Sequence, residues 1–395
     1  MSRRGQGGSG LLRTALNSGR TRSGNGRSSQ QHTPRPSQSV TSSRGPSVAG
    51  SRDVSDDELA DDTASIASDD TWLLDAEDSD EAGGVSDNWE EELEEALEAL
   101  DDKRIATREK GLQTAIRLMS HVYMGDELEG RRVTLLDALR RAARRTKGDQ
   151  ERELALRAIG LWFVNFGTES EGEEEFASTS DLLQALATDV SVSSAVRAGA
   201  LGTLGMANFV SGADYRAAAE LSRFMHDKVL LGALDEHTID VARQTFETIG
   251  LLLTVVMDSD ARLGDELFEE MFDTHMRGLT VDSVDVRVAA ARNFALAHEA
   301  LSSEHANDAT EYAFERQDEL VGVLEMLKNE SSKRQGKRGT VTQRAAVRDV
   351  LNTIEEGEAP KLKLLVHGHP VVFDDWSRIQ RLQAFRGLLG GGLLV

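Results

Sequence analysis

The residues of this chain whose type and spacing could do chemistry are its clustered cations. Between Ser331 and Leu351 six basic residues (Lys333, Arg334, Lys337, Arg338, Arg344 and Arg348) stand with no acid between Glu330 and Asp349. The whole chain carries a formal net charge of −23, so this run inverts the sign locally. Concentrated like charge opposes compaction, and an anionic partner such as a phosphate backbone relieves it. A second cluster comprises Arg131, Arg132, Arg140, Arg141, Arg144, Arg145 and Lys147, with Asp137 the only acid close by. Together these are candidate contacts to RNA or another polyanion. Aromatic side chains are sparse around both clusters, which disfavours base stacking and points to backbone phosphates or an acidic protein surface.

Each cluster also has a structural reading. Arg344 and Arg348 lie one turn apart on a helical pattern with no acid three or four residues away, so they repel by ~0.2–0.5 kcal/mol unless a neighbouring helix supplies acids. The Arg140–Lys147 stretch runs to a helix end before Gly148, where cations gain ~0.3–1 kcal/mol from the helix dipole.

Catalytic patterns are missing by comparison. Gly5–Gly10 satisfies G-x-G-x-x-G, but no strand precedes it and no helix follows, so it does not read as a dinucleotide site. His367 and His369 flank Gly368 with no third ligand at a metal-like spacing, and the chain has no cysteine. That absence excludes disulfides and thiolate zinc sites and suits a reducing compartment. Acidic pairs read as solvated helix faces. The expectation is a protein that is not an enzyme, with no cofactor, no metal and no small-molecule substrate.

The elements that must present the clusters follow from charge and periodicity. Residues 1–52 hold nine Arg, no acid and three of the five prolines; residues 53–102 hold 22 acids and no Lys or Arg. The rest has 36 basic and 46 acidic residues. High charge with few apolar residues predicts a disordered tail over 1–87, basic over 1–52 and acidic over 53–102, where the acid runs into the first helix. Ser55 within its acids matches an acid-directed kinase site weakly, and the Arg-rich start overlaps a transit peptide in composition. No apolar run reaches the ~20 residues of a membrane span.

Order is predicted from Trp89, where Trp89, Leu93, Leu97 and Leu100 make one helical stripe. No proline occurs between Pro46 and Pro360, which permits helix after helix across residues 88–358. Arg108, Arg157, Arg197, Arg243 and Arg287 each open an amphipathic helix body at spacings of 49, 40, 46 and 44 residues. A period in the forties with small residues nearby is the signature of HEAT- or armadillo-like units. The predicted fold is therefore all-α, a solenoid with a long solvent-facing groove; an irregular helical bundle is the alternative. The arginines are read as intra-repeat anchors. A helix over Thr340–Glu356 is expected to bury Val347, Val350, Leu351 and Ile354. Residues 359–395 read as a small mixed α/β piece: β-prone Lys361–Val366 and Pro370–Phe373, then a helix over Asp374–Leu389. The Gly390–Val395 ending fits a truncated chain.

Three stretches carry a family resemblance. Glu129–Leu139 running on through Lys147–Glu151 resembles the first helices of the interferon-related developmental regulator family, and Lys333–Arg338 with Val347–Leu351 and Glu355-Glu356 resembles the end of its helical region. Asp375-Trp376 with the following helix and Gly387–Gly392 looks like the start of that family's C-terminal domain. The resemblance spans roughly 89–395. It implies a helical-repeat protein without catalysis, acting in translation on idle ribosomes through basic surface laid on rRNA, in the cytoplasm. The alternative it implies is a nuclear adaptor that co-regulates transcription within protein complexes. In the ribosome role the family also uses a further C-terminal extension to enter the mRNA path, which this sequence lacks.

Overall fold

The computed structural model describes residues 88–394 apart from 125–129, 146–147, 169–171, 212–213, 305–311, 331–335 and 367–368. Readings made on residues 1–87, on Lys147, and on Lys333 and Arg334 lie outside the described residues. The described residues fall within one compact unit.

Helices pair antiparallel along the chain. Outer helices α1 (Trp89–Ala99), α3 (Arg132–Ala143), α5 (Gly172–Thr188), α7 (Tyr215–Met225), α10 (Ala261–Thr280) and α12 (Gln317–Lys328) alternate with inner ones. The inner row is α2 (Ile105–His121), α4 (Asp149–Phe166), α6 (Ser194–Val210), α9 (Ile239–Ser259), α11 (Val284–Glu304) and α13 (Gly336–Glu356). Helix α7 continues through a π turn at His226–Leu230 into the short α8 (Leu231–Asp235). Each inner helix packs on its own outer helix and on the inner helices before and after it. Stacked pairs of this kind form an α-solenoid, because no pair buries its apolar face alone. The stripe on α1 behaves as its period predicts: Leu93 and Leu100 are buried, and Trp89 and Leu97 pack against the core. On α13, Val347, Val350, Leu351 and Ile354 are buried.

Local sequence sets the helix ends. Ser193 caps α6 by accepting the Val196 N–H, and Asp260 caps α10 by accepting that of Leu263 at 3.1 Å. Gly148 (φ 98°) precedes α4 and Gly357 (φ 71°) ends α13, both in backbone that favours glycine.

The repeat is more regular than the sequence reading has it. Arg108, Arg152, Arg197 and Arg287 are each the fourth residue of an inner helix and are nearly buried. Each donates to a carbonyl just before its helix: Arg108 to Asp102 at 3.0 Å, Arg152 to Arg145, Arg197 to Ala187 at 3.1 Å and Arg287 to Val281 at 2.5 Å. These carbonyls lie at or just after the C-terminal ends of the preceding outer helices, where intrahelical donors run out, so the arginine closes the turn. Arg157 is thereby corrected. Helix α4 starts at Asp149, so Arg152 and not Arg157 falls in the anchoring position, and in α9 that position is Ala242. Arg243 instead pairs along its own helix with Glu247.

A row of small residues follows at an interval of 45: Gly160, Gly205, Gly250 and Ala295. A Cβ on Gly205 would collide with Thr248 of the next inner helix, and one on Gly250 with Asn293. The same contact zone is stitched by hydrogen bonds, Thr203 to the Leu156 carbonyl and Asn293 to the Phe246 carbonyl, both 2.9 Å. Small residues let these helices approach until a side chain reaches the neighbour's backbone.

After α13, β1 (Leu362–Val366) pairs antiparallel with β2 (His369–Phe373), Leu362 opposite Phe373. Leu362 and Leu364 are buried. Helix α14 (Trp376–Leu389) and a 3₁₀ turn (Gly390–Leu394) close the chain. Here the structure differs from an open groove. The α14 helix crosses the face of the inner row opposite the outer helices, against α11, α9 and α4, and the 3₁₀ turn reaches α2. The inner helices are therefore covered on both sides, which accounts for consecutive buried positions such as Val286 to Ala291 on α11.

Candidate anion-contact surface and the filled groove

On α3 the arginines divide by direction. Arg140 turns inward and is buried; it bonds to Thr179 (2.9 Å), to the carboxylate and carbonyl of Glu175 (both 2.9 Å) and to Asp137 (3.2 Å). Arg132 is also buried. Arg145 reaches back to Glu151 at 2.6 Å and to the Leu100 carbonyl at 2.9 Å. Glu151 is fully buried and also holds Arg108 through both oxygens, at 2.6 and 2.7 Å. Burial alone would raise the Glu151 carboxyl, but the hydrogen bonds from Arg108 and Arg145 outweigh it and hold it below the ordinary carboxylate range. Arg131 and Arg141 are half exposed and pair with Glu94 (3.1 Å) and Asp101 (3.5 Å). Arg144 is exposed, and no ion pair to it is seen among the described residues. So Arg132, Arg140 and Arg145 serve the interior, and only Arg131, Arg141 and Arg144 face solvent.

On α13 the arrangement is reversed. Arg344 is exposed, and its guanidinium meets the Glu330 carbonyl at 3.2 Å rather than a carboxylate. Arg348 is half-buried with Nε 4.0 Å from the Asp349 carboxylate. Lys337 and Arg338 lie in the first turns of the same helix. The buried neighbour Gln343 is used internally, donating to the Leu327 carbonyl and accepting from Arg287. Arg344 therefore projects outward while its neighbour Gln343 is committed to packing.

Sequence reasoning missed the seat of α14. Asp375 caps the helix by accepting the Arg378 N–H at 2.7 Å. The backbone N–H of Trp376 donates to Glu299 at 2.7 Å, and its indole N–H to the Thr353 hydroxyl at 2.8 Å. Gln380 donates to Asn293 (3.1 Å), and Arg292 to Gln383 (2.7 Å). Arg381 reaches the Thr254 hydroxyl and carbonyl and the Asp258 carboxylate. Arg157 closes the far end by donating to the Leu388 carbonyl at 3.0 Å, and Leu388 lies over Gly160. Apolar anchors are Trp376 and Ile379, both fully buried, with Leu382 and Leu389. Burial raises Glu299 to about 7, against the opposing Trp376 N–H and with help from Asp375, Asp374 and Asp258. The only signal for this seat in the sequence is the 45-residue row of small residues, since nothing local tells which surface α14 covers.

Behind Asn293 lies His275, fully buried. Its Nδ1–H donates to the Met271 carbonyl (2.9 Å) and its Nε2 faces the Asn293 amide at 3.2 Å. Burial lowers its pKa to about 4, so the ring is neutral. Gln380, Asn293 and His275 thus form one polar line from the terminal helix through the inner row into the outer layer.

Fold and site together define a helical-repeat scaffold. Among the described residues no group of three His, Asp or Glu is placed to hold a metal ion, and no helix is long and apolar enough to cross a membrane. The family model for the interferon-related developmental regulator matches residues 60–355. Mouse interferon-related developmental regulator 2 is 27% identical over 348 residues, covering 83% of this chain and 76% of the relative. Human interferon-related developmental regulator 1 is 24% identical over 341 residues, covering 84% and 72%. Similar solved structures include importin beta (TM-score 0.39, 10% identity, 66% of this chain and 42% of that one) and a designed armadillo repeat protein (TM-score 0.36, 14% identity, 66% and 100%). The chain belongs to the interferon-related developmental regulator family.

Proposed function

We propose that this chain is a helical-repeat regulator that docks on ribosomes through contacts between its basic surface and rRNA phosphates, and thereby damps translation. The observation that carries this reading is Arg344, an exposed guanidinium whose hydrogen-bond partner is the Glu330 backbone carbonyl, on a helix with Lys337 and Arg338 in its first turn. A guanidinium so placed keeps most of its donors for a phosphate, which it matches in a bidentate way. Arg348, Arg131, Arg141 and Arg144 extend the surface. Membership of the family supports a regulator.

The test is ribosome pelleting across a salt series with the double variant Arg344→Glu/Arg348→Glu. Neutralising about six phosphates makes affinity fall roughly a thousandfold between low and moderate salt. The expected outcome is that the double variant stays in the supernatant with an unchanged helical circular dichroism spectrum. Sedimentation equal to that of the parent chain would overturn the proposal.

A further inference from the structure

We propose that the face of the inner helix row covered by α14 is a binding groove for an amphipathic helix, that α14 is its resident occupant, and that a partner protein's helix of the same pattern can replace it. This does not depend on the ribosome reading.

The seat of α14 has the form of a recognition site more than of a repeat interface. Between α4 and α6 and between α9 and α11, single hydrogen bonds (Thr203 to Leu156, Asn293 to Phe246) stand among largely apolar side chains. Along α14, apolar anchors alternate with side-chain pairs, each of which reads one feature of the helix. Glu299 takes its first free N–H, Thr353 its leading indole, Asn293 the amide one turn later, and Arg157 its last carbonyls. A helix in a groove is typically read through anchors at such positions, and interfaces within a chain that are this polar resemble transient ones. The replacing helix is defined by what these groups accept: an acidic cap, a leading Trp, an amide four residues on, and basic residues facing Asp258. It carries no acid on the seated face, as α14 itself carries none from Trp376 to Leu389.

The attachment is compatible with exchange. The α14 helix connects to α13 through the left-handed Gly357, then Pro360 and a two-stranded hairpin, and sheets of two strands are marginal alone. Each inner helix also contacts its own outer partner directly.

The test uses the full chain with a protease site inserted between Glu358 and Ala359. After cutting under native conditions, a fluorescent peptide of residues 374–394 is added and its anisotropy followed. The expected result is saturable binding to the cut chain, at least tenfold weaker binding to the uncut chain, where the tethered helix competes, and at least tenfold weaker binding of a Trp376→Ala/Gln380→Ala peptide. Three outcomes overturn the proposal: equal binding to cut and uncut chains, a cut fragment that never exchanges, or loss of helical signal when the fragment leaves. The last would make α14 part of the core.

Discussion

The α3 and α13 helices carry the same kind of residue to opposite ends. Both present arginines one turn apart in a strongly acidic chain. On α3, Arg140 is drawn inward because α5 offers Glu175 and Thr179 within reach, and Arg145, just past its end, because α4 of the same pair offers Glu151. On α13, among the described residues, no carboxylate is ion-paired with Arg344, which rests on the Glu330 carbonyl. A run of basic residues thus says little by itself. What decides between anchor and contact surface is whether the neighbouring helix carries an acid at the matching height.

The largest expected effect breaks the interior side of that comparison. Glu151→Ala leaves Arg108 and Arg145 without their shared carboxylate and should cost about 3–5 kcal/mol, read by urea denaturation. A loss below 1 kcal/mol would show that the arginines find other partners and that α3 and α13 do not differ.

Next comes His275, the interior group whose charge can be switched by pH alone. Its folded pKa is depressed from 6.5 to about 4, so its contribution is fully present above pH 6.5 and lost as pH falls towards 4. On the order of 3 kcal/mol should disappear over that window. The His275→Gln variant should lose that part of the acid limb, and an unchanged limb would contradict the assignment.

Gly250→Ala probes the close approach in the inner row, where the added methyl meets Asn293 and Gln380. About 1–3 kcal/mol should be lost. At the small end, Arg344→Ala should change stability by less than about 0.5 kcal/mol while lowering ribosome affinity. A larger loss of stability would place Arg344 with the anchors.

The helical class, the period in the forties, the stripe of α1 and the buried side of α13 were legible because each depends on residues within one or two turns. The anchoring arginine was misassigned to Arg157 because its identity depends on where α4 begins. A left-handed Gly148 fixes that start, and periodicity alone cannot place it. The inward turn of Arg140 was not legible either, since its partner Glu175 lies on another helix. The seat of α14 was the least legible, resting on pairs such as Arg157 with Leu388, 231 residues apart.

That last contact alters how the molecule should come apart. A plain solenoid is coupled only between neighbours, so it can unravel from either end one unit at a time. Here a single helix joins the fourth and fifth pairs to the second, its Trp376 indole bonds to the sixth, and the turn after it touches the first. Tied in this way, the array has no loose end while α14 is seated, and its slowest amides should exchange together in one global opening. Once the tie is released, the same amides should exchange in sequence from the termini inward.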